Sequence, residues 1–490
     1  MNKVAIKNIL FVDIPTYHVA LPDLHRDLLD KRLRYQNAVL ENRLGREFYR
    51  PALTYSRGLL TLAACLERED YSIQYLVYSD PHDRDQIYSL GKEADVICIN
   101  AMTPTYNIAR NIVANVKKVN PKCISIVGGP HISAVQENAL IEGGEFDYAL
   151  IGECEDRLHL LIKKLNNPSD IPGVIYRDNH HVIKNHSNPE LVKVNDVPLP
   201  AYHLLKRPLS SYAHNIKTFR GCPYKCSFCA ERLSWASAQQ SSHTIEQVIN
   251  ELKIIKQNIK TNTIIHFSDA VFNINSSRTK ELLSHIKFEF PDLLFSCDTR
   301  VDLIKEDHIL EFHSANIIYI RMGFESLHDN ILNNSEKASS HNMQLKASQI
   351  IRAVSKNIGI HAYLLTGLPG STRETIAEDG IWIRNLVKSE IVDVVGNKIL
   401  VPYPGTPFHE SPHVYGINIL SKNWSAYDRR SYPVFEYNDL SSNEIYFGYL
   451  QQEAILANAY KEILGDGSKN LLNGDVDFDY IYSNYAKLKD

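Results

Sequence analysis

Short apolar runs of strand length alternate with segments of helical periodicity along most of this chain, and they do so in two separate series. No other feature narrows the fold as much. A strand followed by an amphipathic helix lays the next strand parallel to the first, which requires an α/β architecture. The first series runs through "NILFVDIP" (8–15), "SIQYLVYS" (72–79), "ADVICINAM" (94–102), "CISIVGG" (123–129) and "DYALIGE" (147–153). Helical spacing separates them in "SRGLLTLAACLERED" and "NIARNIVANVKKV". The charge-rich stretch from about 22 to 50 reads as an elaborated loop with helical content. Residues 1–165 are therefore expected to form a doubly wound parallel sheet. Ligands of such sheets bind in the crevice beyond the carboxyl ends of the strands. The loops leaving those ends, "PTYHV", "MTPTYN", "GGPHIS" and "GECED", supply glycines for close backbone approach and threonine hydroxyls.

Residues 166–210 are rich in Pro and Asn and read as a linker, with a small hairpin, "GVIYRDNHHVIKN", turning at Asp178–Asn179. The second series then begins: "NIKTFRG" (215–221), "TIIHFSD" (263–269), "LLFSCDTR" (293–300), "IYIRMGFES" (318–326), "GIHAYLLTGLPG" (359–370) and "VDVVGNKILVP" (392–402). Six successive strand–helix units predict a partial (β/α)6 barrel of the TIM type over residues 211–410. The N-terminal sheet would be flavodoxin-like. Residues 411–490 read as a helical C-terminal segment, with "NEIYFGYLQQEAILANAYKEIL" (443–464) as one helix and "DFDYIYSNYAKL" as another.

At 490 residues the chain is long enough for two or three cores. A net charge of −4 exerts no broad pull on nucleic acid or an anionic surface, and no nucleic-acid partner is expected. No apolar run approaches the ~20 residues of a membrane span. Eight cysteines in so long a chain are too few for a disulfide scaffold, so a reducing, cytoplasmic setting is expected.

Three of the cysteines are concentrated in "FRGCPYKCSFCAE" (219–231): Cys222, Cys226 and Cys229, in the loop after the first strand of the second series. Active-site groups of barrels occupy such loops, at the carboxyl ends of the strands. Thiolates select zinc or iron–sulfur clusters. A closed zinc site needs four ligands and a ferredoxin-type cluster four cysteines. Three thiolates would leave one iron of a [4Fe–4S] cluster open to substrate or cofactor. The plain alternative is three structural cysteines or an incomplete zinc site.

"GCPYKCSFC" resembles the signature of radical S-adenosylmethionine (SAM) enzymes, and "HFSDAVFN", "CDTRVD", "GFES", "GLPGST" and "PYPGTP" follow in the order seen in members with an N-terminal cobalamin-binding domain. The resemblance covers about residues 8–410. It implies that Cys222, Cys226 and Cys229 bind a [4Fe–4S] cluster and are catalytic, with SAM chelating the fourth iron. A 5′-deoxyadenosyl radical formed from SAM would then abstract hydrogen. Phe228 is carried over as an adenine contact, and Ser268, Asp269, Arg300, Glu325 and Ser326 as SAM contacts. Ser268–Asp269 depart from the Gly-Gly-Glu of the family, and Ala270 stands where many relatives have a second Asp. The N-terminal half resembles the cobalamin domain, with Thr16, Thr103, Thr105, Gly128, Gly129, His131, Gly152 and Glu153 as candidate contacts. The D-x-H-x-x-G string that supplies a histidine to cobalt is missing; "DLHRDL" and "DPHDRD" lack its glycine, so no histidine cobalt ligand is expected.

The function implied is methyl transfer to an unactivated carbon through methylcobalamin, acting on a small molecule or peptide and drawing electrons from a flavodoxin- or ferredoxin-type donor. The alternative is cyclisation, oxidation or rearrangement on the same two domains. Methylthiolation and a non-catalytic cobalamin or redox sensor rank below these. Trp424 and Tyr427 are expected to be core aromatics covering the barrel, with cavity lining as the other reading. Tyr403, Cys297 and His361 are placed near the mouth in structural roles.

Overall fold

The computed structural model describes residues 6–15, 23–179, 181–187, 189–231 and 240–465. The N-terminal sheet comprises β1 (Asn8–Asp13), β2 (Ser72–Val77), β3 (Val96–Asn100), β4 (Ile124–Gly128), β5 (Tyr148–Leu150), β6 (Val174–Asp178) and β7 (His181–Lys184). Their order is β2-β1-β3-β4-β5-β6-β7. The first five strands pair in parallel, as expected for a doubly wound sheet. The hairpin at Asp178–Asn179 continues that sheet as two antiparallel strands instead of standing apart in a linker. Asn179 takes φ 54°, the left-handed turn conformation that Asn tolerates.

Helices on both faces explain why these strands are nearly continuous apolar runs: Phe11, Val12, Val96 and Ile97 are all fully buried. At the carboxyl edge Asp13 ties three strands' ends together. It accepts hydrogen bonds from Tyr75 Oη at 2.8 Å, Ser56 N at 2.5 Å and Asn100 Nδ2 at 3.0 Å.

The second series forms β8 (Asn215–Ile216), β9 (Phe219–Arg220), β10 (Ser241–Ser242), β11 (Ile264–Phe267), β12 (Leu294–Thr299), β13 (Ile317–Glu325), β14 (Gly359–Thr366) and β15 (Val394–Ile399). Six of these make one parallel sheet ordered β15-β14-β13-β12-β11-β8, the sequential order of a partial barrel. "NIKTFRG" is not one strand. It breaks after Ile216, where Asp269 accepts hydrogen bonds from Thr218 N, Phe219 N and Thr218 Oγ1, and the chain turns into β9, which pairs with β10. The cysteine loop leaves from that turn.

The stretch expected to be an elaborated loop with helical content is in the main one 22-residue helix, Asp23–Leu44. Its main packing is on the helix Ser442–Leu464, with β14 and β15 of the barrel beside it. The C-terminal helix covers the same side, as its apolar spacing implied, with Tyr449, Leu456 and Tyr460 fully buried. The second C-terminal helix expected at "DFDYIYSNYAKL", like Thr16, lies outside the described residues. Among the described residues no helix is long and apolar enough to cross a membrane.

Candidate active site

Two cavities lie at the carboxyl ends of the two sheets and meet. The first, about 190 Å³, is lined by Cys222, Cys226 and Cys229 together with Tyr224, Phe228, Asp298, Arg300, Arg321, Glu325, Lys337 and Tyr363. The second, about 350 Å³, lies over β1, β3, β4 and β5 and is walled by Leu59, Leu62, Met102, Val127, Gly128, Gly129, Gly152 and Glu153. Glu231 lines both, and its carboxylate pairs with Lys217, another residue of the second cavity's wall, at 3.3 Å. Arg220, two residues before Cys222, reaches Glu153 at 3.2 Å and Glu155 at 2.8 Å. The cysteine loop is thereby anchored to the loop after β5.

The three cysteines stand around a cavity instead of converging on a point. Among the described residues no three His, Cys, Asp or Glu side chains are gathered closely enough for a single ion. A polynuclear cluster, larger than one ion, is what such a spread thiol set fits. Burial raises the Cys222 thiol, and it pushes Cys229 up to about 11. Both are therefore protonated when free and must release protons on binding metal. Arg300 extends a guanidinium nitrogen to 3.9 Å from Cys226 Sγ and stacks its plane 3.6 Å over the Tyr224 ring. Lys337 Nζ pairs with Glu325 at 3.0 Å. Burial works against that ammonium, but Glu325, with a smaller contribution from Cys226, outweighs it and keeps the Lys337 pKa above its ordinary value. Two cations thus flank the loop and favour thiolate over thiol.

Backbone strain makes room for this arrangement. Glu325 has φ 64°, at a register shift where β13 passes β14. A Cβ on Gly323 would overlap the Glu325 carboxylate and lie 2.6 Å from Lys337 Nζ, so only glycine leaves the pair its space.

The residues singled out from sequence divide into two groups. Phe228, Arg300 and Glu325 line the first cavity, and Gly128, Gly129, Gly152 and Glu153 the second. Asp269 is instead bound to the backbone after β8, and Ser268 Oγ donates to Ile216 O. Ser326 Oγ donates to the buried Asp379 at 2.9 Å, on the far side of the strand end. Thr105 caps the turn at Met102. Thr103 hydrogen-bonds His131, whose ring lies tilted against Tyr106 at 4.5 Å and edge-on to Trp424 at 5.0 Å. Burial lowers the His131 pKa to about 3, so it stays neutral; no described histidine lines the second cavity.

Trp424 joins the C-terminal segment to the first domain, donating to Glu142 at 2.8 Å, and Tyr427 is buried beside it. Both are packing residues. Cys297 is fully buried, His361 bonds Tyr319 at 2.7 Å, and Tyr403 lies against the Arg429 guanidinium.

Sequence reasoning missed Lys337, Tyr224, Arg321, Asp298, Tyr363, Lys217 and Glu231. For Arg321 a signal existed. "IYIRMGFE" alternates Tyr319, Arg321 and Gly323 with Ile320, Met322 and Phe324, and the second set is fully buried against the helices. The first set faces the lumen, where Arg321 forms an ion pair with Asp298 at 2.6 Å and contacts His266. Burial works against the Asp298 carboxylate, but its hydrogen bond to His266 and that ion pair hold it well below the usual carboxylate range, so it remains ionised.

Comparison with known proteins follows the same division of the chain. Residues 216–380 match the family model described as the radical SAM superfamily, and residues 50–162 the B12 binding domain. An uncharacterized methyltransferase of Pyrococcus horikoshii is 26% identical over 366 residues, covering 72% of this chain and 76% of the relative. The anaerobic magnesium-protoporphyrin IX monomethyl ester cyclase of Cereibacter sphaeroides is 22% identical over 334 residues, covering 65% of this chain; the chain spans about half (53%) of that relative's length. Among solved structures, the radical SAM methyltransferase TsrM of Kitasatospora setae superimposes with a TM-score of 0.61 at 15% identity, covering 87% of this chain and 82% of that one. At that identity the likeness speaks for the fold.

Proposed function

Because the chain belongs to the radical SAM superfamily and carries a B12-binding domain on the same polypeptide, we propose that it is a methyltransferase acting on an unactivated carbon. Its cofactors are a [4Fe–4S] cluster, SAM and cobalamin. When bound they supply a radical source and a transferable methyl group, chemistry that no side chain provides. The single observation that carries the proposal is the junction of the two cavities at Glu231. A substrate lying there is flanked by the cysteine loop on one side and the apolar recess over the first sheet on the other.

The protein's own contribution is placement. Cys222, Cys226 and Cys229 would hold the cluster, and Phe228, Arg300, Glu325 and Lys337 would surround SAM. Leu59, Leu62, Met102 and Val127 offer an apolar face suited to a flat macrocycle. Arg220 keeps the two halves in register through Glu153 and Glu155. A reductant is needed to deliver the electron, and the expected donor is a small flavodoxin- or ferredoxin-type protein.

Anaerobically reconstituted enzyme supplied with substrate extracts and SAM carrying a labelled methyl group is expected to place label in a product, with 5′-deoxyadenosine formed alongside. Label recovered only in methionine would mean that SAM serves as the radical source alone. That outcome supports ring formation or oxidation, the reading that similarity to the cyclase favours.

The recess also yields a test of cobalamin placement. A Cβ at Gly58 would meet no atom within 4 Å, and Gly58 lines the second cavity. Gly58→Leu is expected to stabilise its helix by about 0.5–1 kcal/mol, because glycine is a poor helix former. The same side chain would fill the cradle and weaken cobalamin uptake about tenfold or more, given the cost of overpacking a fitted site. Absorbance titration and thermal melting read the two effects separately. Undiminished uptake would place cobalamin elsewhere.

A further inference from the structure

The floor of the first cavity, beneath the cysteine loop, is made by Asp298, Arg321 and Tyr363 from three neighbouring strands, β12, β13 and β14. Arg321 stands opposite Asp298 in register, and Tyr363 opposite Gly323. They lie deeper than the residues that resemblance assigns to SAM. Arg321 precedes Glu325 by four residues on β13, roughly 13 Å of strand.

Both side chains are fixed, and each keeps a donor free. Arg321 Nε and Nη2 donate to the two carboxylate oxygens of Asp298, at 2.6 and 2.8 Å. Nη2 also contacts His266, whose other ring nitrogen lies 2.9 Å from Ser296 Oγ. Arg321 Nη1 has no hydrogen-bond partner among the described residues, and 25% of the side chain stays accessible. The Tyr363 ring packs on His361 at 4.4 Å and over Gly396, where a Cβ would come within 2.6 Å of it. Its hydroxyl bonds no described residue, and burial, raising its pKa to about 12, keeps the proton in place. Arg321 Cζ is 5.9 Å from the centre of that ring, so one ligand group can touch both donors. The charge of Arg321 is already matched by Asp298 through two hydrogen bonds. A carboxylate or phosphate laid here would face the Asp298 carboxylate as well; a neutral oxygen meets no such opposition.

We infer that Arg321 and Tyr363 form a two-donor subsite that receives an uncharged oxygen of the substrate, a carbonyl or a hydroxyl. Donors held in place before the ligand arrives fix which of its carbons faces the cysteine loop. This inference rests on the enzyme acting at this site, but it does not depend on methyl transfer being the reaction.

The test uses reconstituted holoenzyme, kept anaerobic, with N-methylacetamide as the neutral probe and acetate as the charged one. Acetylation of tyrosine hydroxyls by N-acetylimidazole is followed by peptide mass spectrometry, against sodium chloride of equal ionic strength. The amide is expected to slow labelling of Tyr363 about threefold or more without slowing the exposed Tyr88, and acetate to slow it less. Arg321→Met is expected to lose most of that protection. The wild-type comparison needs no variant, so a misfolded Arg321→Met would not spoil it. A Tyr363 that the reagent never reaches, or equal labelling with and without the amide, overturns the subsite. Stronger protection by acetate overturns its neutral chemistry. Tyr363→Phe removes an oxygen that no described residue bonds, and it identifies the ligand. A fall in SAM affinity of about tenfold, the worth of one hydrogen bond, would give the donors to the cofactor and overturn the substrate assignment; a smaller change upholds it. Methyl label recovered only in methionine strikes methyl transfer alone, since protection by the amide would persist and the subsite stand.

Discussion

Cys226→Ala is expected to remove the iron–sulfur centre and with it the reductive cleavage of SAM. Two thiols cannot hold a cluster built for three, and the loss exceeds what changing a neighbour of a metal ligand costs, so cleavage should fall by about a hundredfold or more. Cys226 is the informative choice because Arg300 lies 3.9 Å from its sulfur and Lys337 acts on its charge. Arg300→Met in parallel should keep the iron and weaken catalysis less, since it removes a neighbour of the cluster and not a ligand. Iron analysis, the spectrum of the reduced centre and 5′-deoxyadenosine yield give the comparison. Cobalamin uptake should be untouched in Cys226→Ala, because the recess over the first sheet contains none of the three cysteines. A variant with wild-type iron content and cleavage would disprove the ligand assignment.

The second large effect is on stability. Arg32, on the helix Asp23–Leu44, is 2% exposed and Glu453 fully buried, with Nε to Oε2 at 2.8 Å. The same guanidinium donates to Gln36 Oε1 at 2.7 Å and to Val395 O at 2.6 Å. Gln36 Oε1 also accepts from Val395 N, so one cluster of polar atoms ties the helix to the edge strand β15 and to the C-terminal helix. Arg32→Ala leaves a buried carboxylate and a backbone carbonyl without partners, at an expected cost of about 3–5 kcal/mol. Arg32→Met combined with Glu453→Leu removes both charges and should recover most of that loss. Denaturant melts of the three variants make the comparison, and hydrogen exchange in the two helices localises it. Equal destabilisation by the single and the double change would show that the ion pair is not what joins them.

The same cluster explains where sequence reading stopped. The helix Asp23–Leu44 read as a loop with only some helical content because several positions it buries are polar: His25, Arg32 and Gln36. Their partners are Tyr446, Tyr449, Glu453 and Val395, more than 350 residues away, and periodicity cannot register such pairings. By contrast, β3 and β4 were legible because strands covered by helices on both faces must be apolar throughout. Asp269 and Ser326 belonged to recognisable strings, yet a motif does not say which way a side chain turns. Asp269 satisfies the amides of Thr218 and Phe219, and Ser326 bonds Asp379. Lys337 carried no signal at all; it reaches Glu325 from a separate segment, through space that Gly323 leaves open.

What the amino-acid order determined alone is the set of local decisions: two runs of strand–helix units, and a loop whose three thiols are brought together by a spacing of four and three residues. Short-range sterics and burial suffice for those. Tertiary structure decided which domain the first long helix serves, that Arg220 ties the cysteine loop to Glu153 and Glu155, and that the two cavities share Glu231. It also laid the segment around Arg429 against the end of β15, through the bond from Ile399 N to Arg429 O. Each of these depends on charges meeting across elements far apart in the chain, and only the folded packing sets those distances.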